Sequence, residues 1–135
     1  MSLRRKSREF ALQMLFQWDL HPQEPARMET EFWRNARAEK KTREFANQLF
    51  EGAAAVAKEL DALIEQHARN WRVERMAAID RNILRLGIYE LRAGETPAKV
   101  VMNEAIELAK KFSTEESAPF INGILDAVQK ATEKK

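Results

Sequence analysis

The chain has no cysteine, only two histidines, four glycines and four prolines in 135 residues, and each scarcity closes off a class of function. Without thiols there is no disulfide framework, no thiolate zinc site and no cysteine nucleophile. His21 and His67 lie 46 positions apart, so no His-Glu-x-x-His metal site and no nucleophile–base pair is in view. Gly52, Gly87, Gly94 and Gly123 are isolated and build no phosphate-cradling loop. No run of about 18 apolar residues is long enough to cross a bilayer, and the basic N-terminus lacks the apolar stretch of a signal peptide. The inventory therefore points away from an enzyme, a metal or cofactor protein and a membrane protein. It points towards a cytoplasmic protein that works by binding.

What is present favours helices. A 44% hydrophobic and 33% charged composition with few turn formers fits an all-α chain, expected as one domain over residues 1–135. In the first helix Ala11, Leu12, Leu15 and Trp18 form the apolar side, widened by Phe10 and Met14, and Arg5, Glu9, Gln13 and Gln17 form a polar stripe. Pro22 and Pro25 stop it. A second helix is expected from about Arg27 to Ala38, and one long helix from about Arg43 to Ala68, with Thr42 as its N-cap. Gly52 and the alanines after it would let a neighbour come near, and Trp71 is expected to plug the following joint. The segment from about Val73 to Arg92 is apolar around most of its circumference, so it reads as the central helix, ended by Gly94. Thr96 and Pro97 open the next helix, and Ser113 with Glu116 has capping-box spacing before the last one, which starts near Ala118. Gly123, inside that helix, suggests a close helix neighbour.

Charge is modest overall, at +2, but uneven. Arg4, Arg5, Lys6 and Arg8 precede any acidic residue, and Phe16 lies close to the polar stripe of the same helix. Cations that neutralise phosphates, amides that read base edges and a ring for stacking would suit RNA; a solvated terminus would have the same composition. Arg81 and Arg85 read as a solvated basic stripe. Asp80 reads as a partner contact or a residue complementing the helix dipole. His67 reads as a helix-end or half-buried histidine.

Three strings, RRKSREFALQMLFQWDL, WRVERMAAIDRNILRLGIYEL and MNEAIELAKKFSTEESAPFINGILD, resemble in order the signature blocks of the bacterial transcription antitermination factor NusB family; residues 22–41 carry no resemblance. The resemblance implies two small helical bundles packed together, about six to seven helices in all. It implies binding of boxA leader RNA together with the ribosomal protein NusE, in a larger complex with NusA, NusG and RNA polymerase. On matching positions, Arg4, Arg5, Lys6, Arg8, Gln13, Glu116 and Phe120 are the RNA-facing residues it implies, and Phe16 and Asp80 those that face NusE. Phe16 stands where relatives often carry Tyr, and Pro119 where they often carry a basic residue. A NusB-like domain also resembles the recognition part of ribosomal RNA cytosine methyltransferases, but nothing after Val128 offers a cofactor-binding region. The remaining alternative is a helical adaptor or homodimer acting through protein contacts without RNA.

Overall fold

Seven helices follow one another in the computed structural model, with no strand among the described residues, 3–68 and 72–133. They are α1 (Leu3–Leu20), α2 (Pro25–Arg34), α3 (Lys40–Ala55), α4 (Ala57–His67), α5 (Ala78–Ala93), α6 (Ala98–Phe112) and α7 (Ser117–Glu133), with a 3-10 turn at Val73–Arg75 before α5. Helices α1 to α3 pack as one bundle and α4 to α7 as a second. Helix α5 joins them, touching α1 and α3 on one side and α4, α6 and α7 on the other. This is the central helix expected from its all-round apolarity: Ile83, Leu84, Leu86 and Ile88 are buried. Burying each such side chain contributes about 1.5–3 kcal/mol.

Backbone and ring contacts fix how closely the bundles approach. Gly94 ends α5 in the left-handed region (φ 71°), where its N–H donates to the Glu90 carbonyl, a conformation that strains residues with a Cβ. At Gly52 an added Cβ would overlap the Tyr89 ring, so α3 meets α5 through the missing side chain. Phe10, Phe32 and Trp33 pack edge to face, with centroids 4.9–5.9 Å apart, and seal α1 against α2.

Several boundaries differ from the sequence reading. The long helix over 43–68 is two helices broken at Val56 (φ −118°, ψ 24°); the break lets α3 lie on α1 while α4 turns towards α5 and α7. Thr42 is no cap. It is buried within α3, and its carbonyl accepts the Ser7 hydroxyl at 2.9 Å. Helix α2 runs from Pro25, which opens it as a first-turn proline, and ends at Arg34. Thr96 makes no cap bond to α6. Gly123 has nothing within 4 Å of a notional Cβ, so no helix approaches there. Trp71 lies outside the described residues.

Candidate nucleic-acid interface

The basic start of α1 is divided by burial. Arg4 is exposed, with its guanidinium 4.3 Å from the Phe45 ring centroid, a cation–π arrangement that leaves its N–H groups at the surface. Lys6 is exposed and stands 3.7 Å from Glu9. Arg5, 41% exposed, grips Glu104 of α6 through two bonds of 3.0 and 2.7 Å. The hydrogen bond from Arg5 holds the Glu104 carboxyl below its ordinary range, against burial that would raise it.

Arg8 corrects the expectation that all four cations face RNA. Its side chain is 4% exposed and donates twice, at 2.8 Å each, to Glu90 of α5, itself 6% exposed. Burial alone would lower the Arg8 pKa, but the bonds and charge of Glu90 outweigh it and the group is pushed above its usual value. Arg8 thus braces α1 on α5. The signal was in the spacing: Arg8 stands three residues before Ala11 and four before Leu12, both on the buried stripe.

Along the other side of α1, two ion pairs reach across to α6. Arg5 meets Glu104, and one turn on Glu9 accepts Lys111 at 2.9 Å. Gln13, half-buried, lies one further turn along α1. Lys111 is two residues before Ser113, so this seam leads to the segment that starts α7.

There Thr114, rather than Ser113, caps: its Oγ1 accepts the Ser117 N–H at 3.2 Å. The hydroxyls of Ser113 and Ser117 donate instead to Asp80 at 2.6 and 2.9 Å. Between the 3-10 turn, the start of α5 and the start of α7 lies a cleft of about 290 Å³, lined in part by Arg75, Met76, Asp80, Thr114, Glu116 and Phe120. The half-buried Phe120 ring packs on the core and also borders this cleft. A flat ring, carboxylates and hydroxyls around a recess of this size suit an unstacked base better than a duplex.

The end of α1 reaches α5 through a buried polar cluster. Asp19 accepts from Arg81 Nε at 2.5 Å and from Asn82 Nδ2 at 3.0 Å, and Arg85 donates twice to Asp61 of α4 at 2.7 Å each. Burial would raise the Asp19 pKa, but Arg81, Arg85 and Asn82 outweigh it and keep the carboxyl below its ordinary range. Arg81 and Arg85 are therefore not a solvated stripe. Phe16, half-buried, lies one turn before Asp19 on α1.

Two cations the sequence reading passed over border this region. Arg75 is an exposed residue on the cleft, and Lys111 closes the seam onto Glu9. Both lie inside the family-like strings, but no local pattern sets them apart there; the ion pair to Glu9 and the lining of the cleft bring them in. Among the described residues no group of three or more His, Cys, Asp or Glu side chains could hold a metal, and no helix is long and apolar enough to cross a membrane. His67 ends α4, with Nδ1 3.0 Å from the Leu63 carbonyl.

The NusB family model matches residues 5–130. A protein of Koribacter versatilis (strain Ellin345), described as transcription antitermination protein NusB, is 51% identical over 127 residues, 93% of this chain and 87% of that one. Among solved structures, a chain in the crystal structure of a plectonemic RNA supercoil superposes with TM-score 0.89 at 31% identity, covering 100% of this chain and 99% of that one. A chain in the crystal structure of antitermination factors NusB and NusE in complex with dsRNA superposes with TM-score 0.86 at 31% identity, covering 97% and 98%.

Proposed function

The chain belongs to the NusB family, and from that premise we propose that it is a transcription antitermination factor that binds boxA leader RNA together with NusE. The reading extends to assembly with NusA, NusG and RNA polymerase. It is binding without chemistry. The observation that carries it is the joining of two remote segments: Arg5–Glu104 and Glu9–Lys111 tie the basic start of α1 to α6, the helix that leads into the segment bearing Glu116 and Phe120.

In this mechanism Arg4 and Lys6 hold phosphates directly, because their side chains are already exposed. Arg5 exchanges Glu104 for a phosphate, a like-for-like swap of one anion for another. Arg8 acts one step removed, by fixing α1 on α5. Phe120 stacks an unpaired base, with Gln13 and Glu116 reading base edges. NusE docks across Phe16 and the start of α5, beside Asp80, and extends the RNA surface. Since carboxylates sit among the cations, RNA affinity of the chain alone is weak and rises with NusE.

The test is fluorescence anisotropy with labelled boxA RNA and a scrambled RNA, with and without NusE. Preference for boxA, strengthened by NusE, is expected; equal affinities in all four titrations would end the reading.

A further inference from the structure

Asp80 has its carboxylate engaged inside the molecule. Oδ1 accepts the Ser113 hydroxyl at 2.6 Å and Oδ2 the Ser117 hydroxyl at 2.9 Å. The hydroxyls of Ser113 and Ser117 are 3.0 Å apart, and Thr114 Oγ1 is 3.1 Å from Ser117 Oγ. Each hydroxyl has one proton to give. If the two serine protons go to Asp80, the Thr114 proton is the one left for Ser117 Oγ, and every donor in the cluster is used. Short hydrogen bonds to an ionised oxygen are also the stronger kind.

What the cluster holds is the segment that presents Glu116 and Phe120. Glu116 lies between Thr114 and Ser117, and Phe120 follows Ser117 by three residues, one turn further along α7. We infer that Asp80 is a positioning residue for RNA: through Ser113 and Ser117 it sets the loop and first turn that carry the base-facing groups. The inference rests on the RNA reading above and adds a physical link between its two faces. A NusE side chain that reaches Asp80 meets the same carboxylate that orders the RNA loop. Docking of one partner then changes the affinity for the other, and by linkage the reverse holds equally.

The experiment uses the full chain without NusE, titrated into fluorescein-labelled single-stranded boxA RNA and a scrambled control. The double variant Ser113→Ala/Ser117→Ala removes both donors and leaves Asp80 in place. Its boxA affinity is expected to fall roughly three- to tenfold, equivalent to about 0.7–1.4 kcal/mol. The salt dependence of binding should stay unchanged, because no phosphate contact is lost. Amide exchange over residues 113–120 should quicken, and Ser113→Thr, which keeps the hydroxyl, should bind like the parent. Asp80→Asn supplies a second route, since it replaces one of the two accepting oxygens by an NH2 group that cannot accept from the serine there; an intermediate loss is expected. Parental affinity in either variant, in a protein that does prefer boxA, overturns the positioning role alone. A parent that binds both RNAs equally overturns the inference, and the RNA reading with it where the equality also holds with NusE.

Discussion

Helix α1 has an inner seam against α5 and an outer seam against α6, and both are held by the same chemistry, a basic side chain on a carboxylate. At the inner seam Arg8–Glu90 is closed to water; at the outer seam the cations of Arg5–Glu104 and Lys111–Glu9 are about half exposed. The difference decides what each pair can do. A cation buried with its partner cannot leave without stranding a charge. Half-exposed Arg5 and Lys111, by contrast, can be drawn to a phosphate because second cations, Arg8 at 3.9 Å from Glu104 and Lys6 at 3.7 Å from Glu9, still face the little-exposed carboxylates they leave. Charge pattern names the cations, and burial assigns their work.

The largest expected effect is at the inner seam. Arg8→Ala leaves Glu90 buried without its cation and is expected to cost about 3–5 kcal/mol of stability, read from urea unfolding. Arg8→Ala with parental stability and lost RNA binding would break the distinction between the seams.

A third region sharpens the comparison because two carboxylates, Glu29 and Glu51, face each other there. Glu29 of α2 is pushed up to about 8 by burial first and then by the Glu51 carboxyl beside it. One Glu29 oxygen is buried and has no donor, as expected of two acceptors until one carries a proton. The folded pKa lies above the ordinary 4.5, so the stability this group contributes is present in full below about pH 4.5 and is lost as pH rises through about 8. On the order of 1–2 kcal/mol should disappear between pH 5 and pH 8, allowing for partial access of water. Glu29→Gln should abolish that slope in urea titrations at the two pH values; a slope that persists in the variant would place its origin elsewhere.

These contrasts also mark what the sequence makes legible. The apolar stripes of α1, α5 and α6 and the αL glycine at Gly94 follow from spacing and conformational freedom alone, and they settle the helices and their order. The break at Val56 was hidden because Ala53, Ala57, Leu60 and Ile64 keep helical spacing across it. Arg85 was misread although its helix is buried nearly all round, which leaves no position on it for a solvated stripe. Its partner Asp61 is 24 positions away, and no local rule pairs the two. Phe120 and Asp80 were both singled out, but only tertiary packing sets them on one cleft.

Smaller effects belong to the outer side of α1. Arg4→Ala/Lys6→Ala should leave the unfolding midpoint nearly unchanged, since neither side chain is buried. It should flatten the salt dependence of boxA binding by roughly 0.7 per lost phosphate contact, two contacts in all. An unaltered slope would remove these residues from the RNA path and leave the outer seam as structure only.

The smallest effect is the most discriminating, because it should go up. Glu104→Gln withdraws the anion that Arg5 grips while keeping a side chain of the same shape, so Arg5 no longer has to be released before it can meet a phosphate. RNA affinity should rise a few-fold at low salt. Stability should fall by less than about 1 kcal/mol, as expected for a pair whose cation is open to solvent. The lowered Glu104 pKa fixes the sign with pH: stability from this pair is present above the unfolded carboxyl range and is lost as pH falls through the depressed folded value. Acidification should therefore reproduce the effect of the substitution in the parent, and the variant should lack that component of the pH dependence. If Glu104→Gln weakens RNA binding, Glu104 orients Arg5 rather than competing for it, and the outer seam is a scaffold like the inner one.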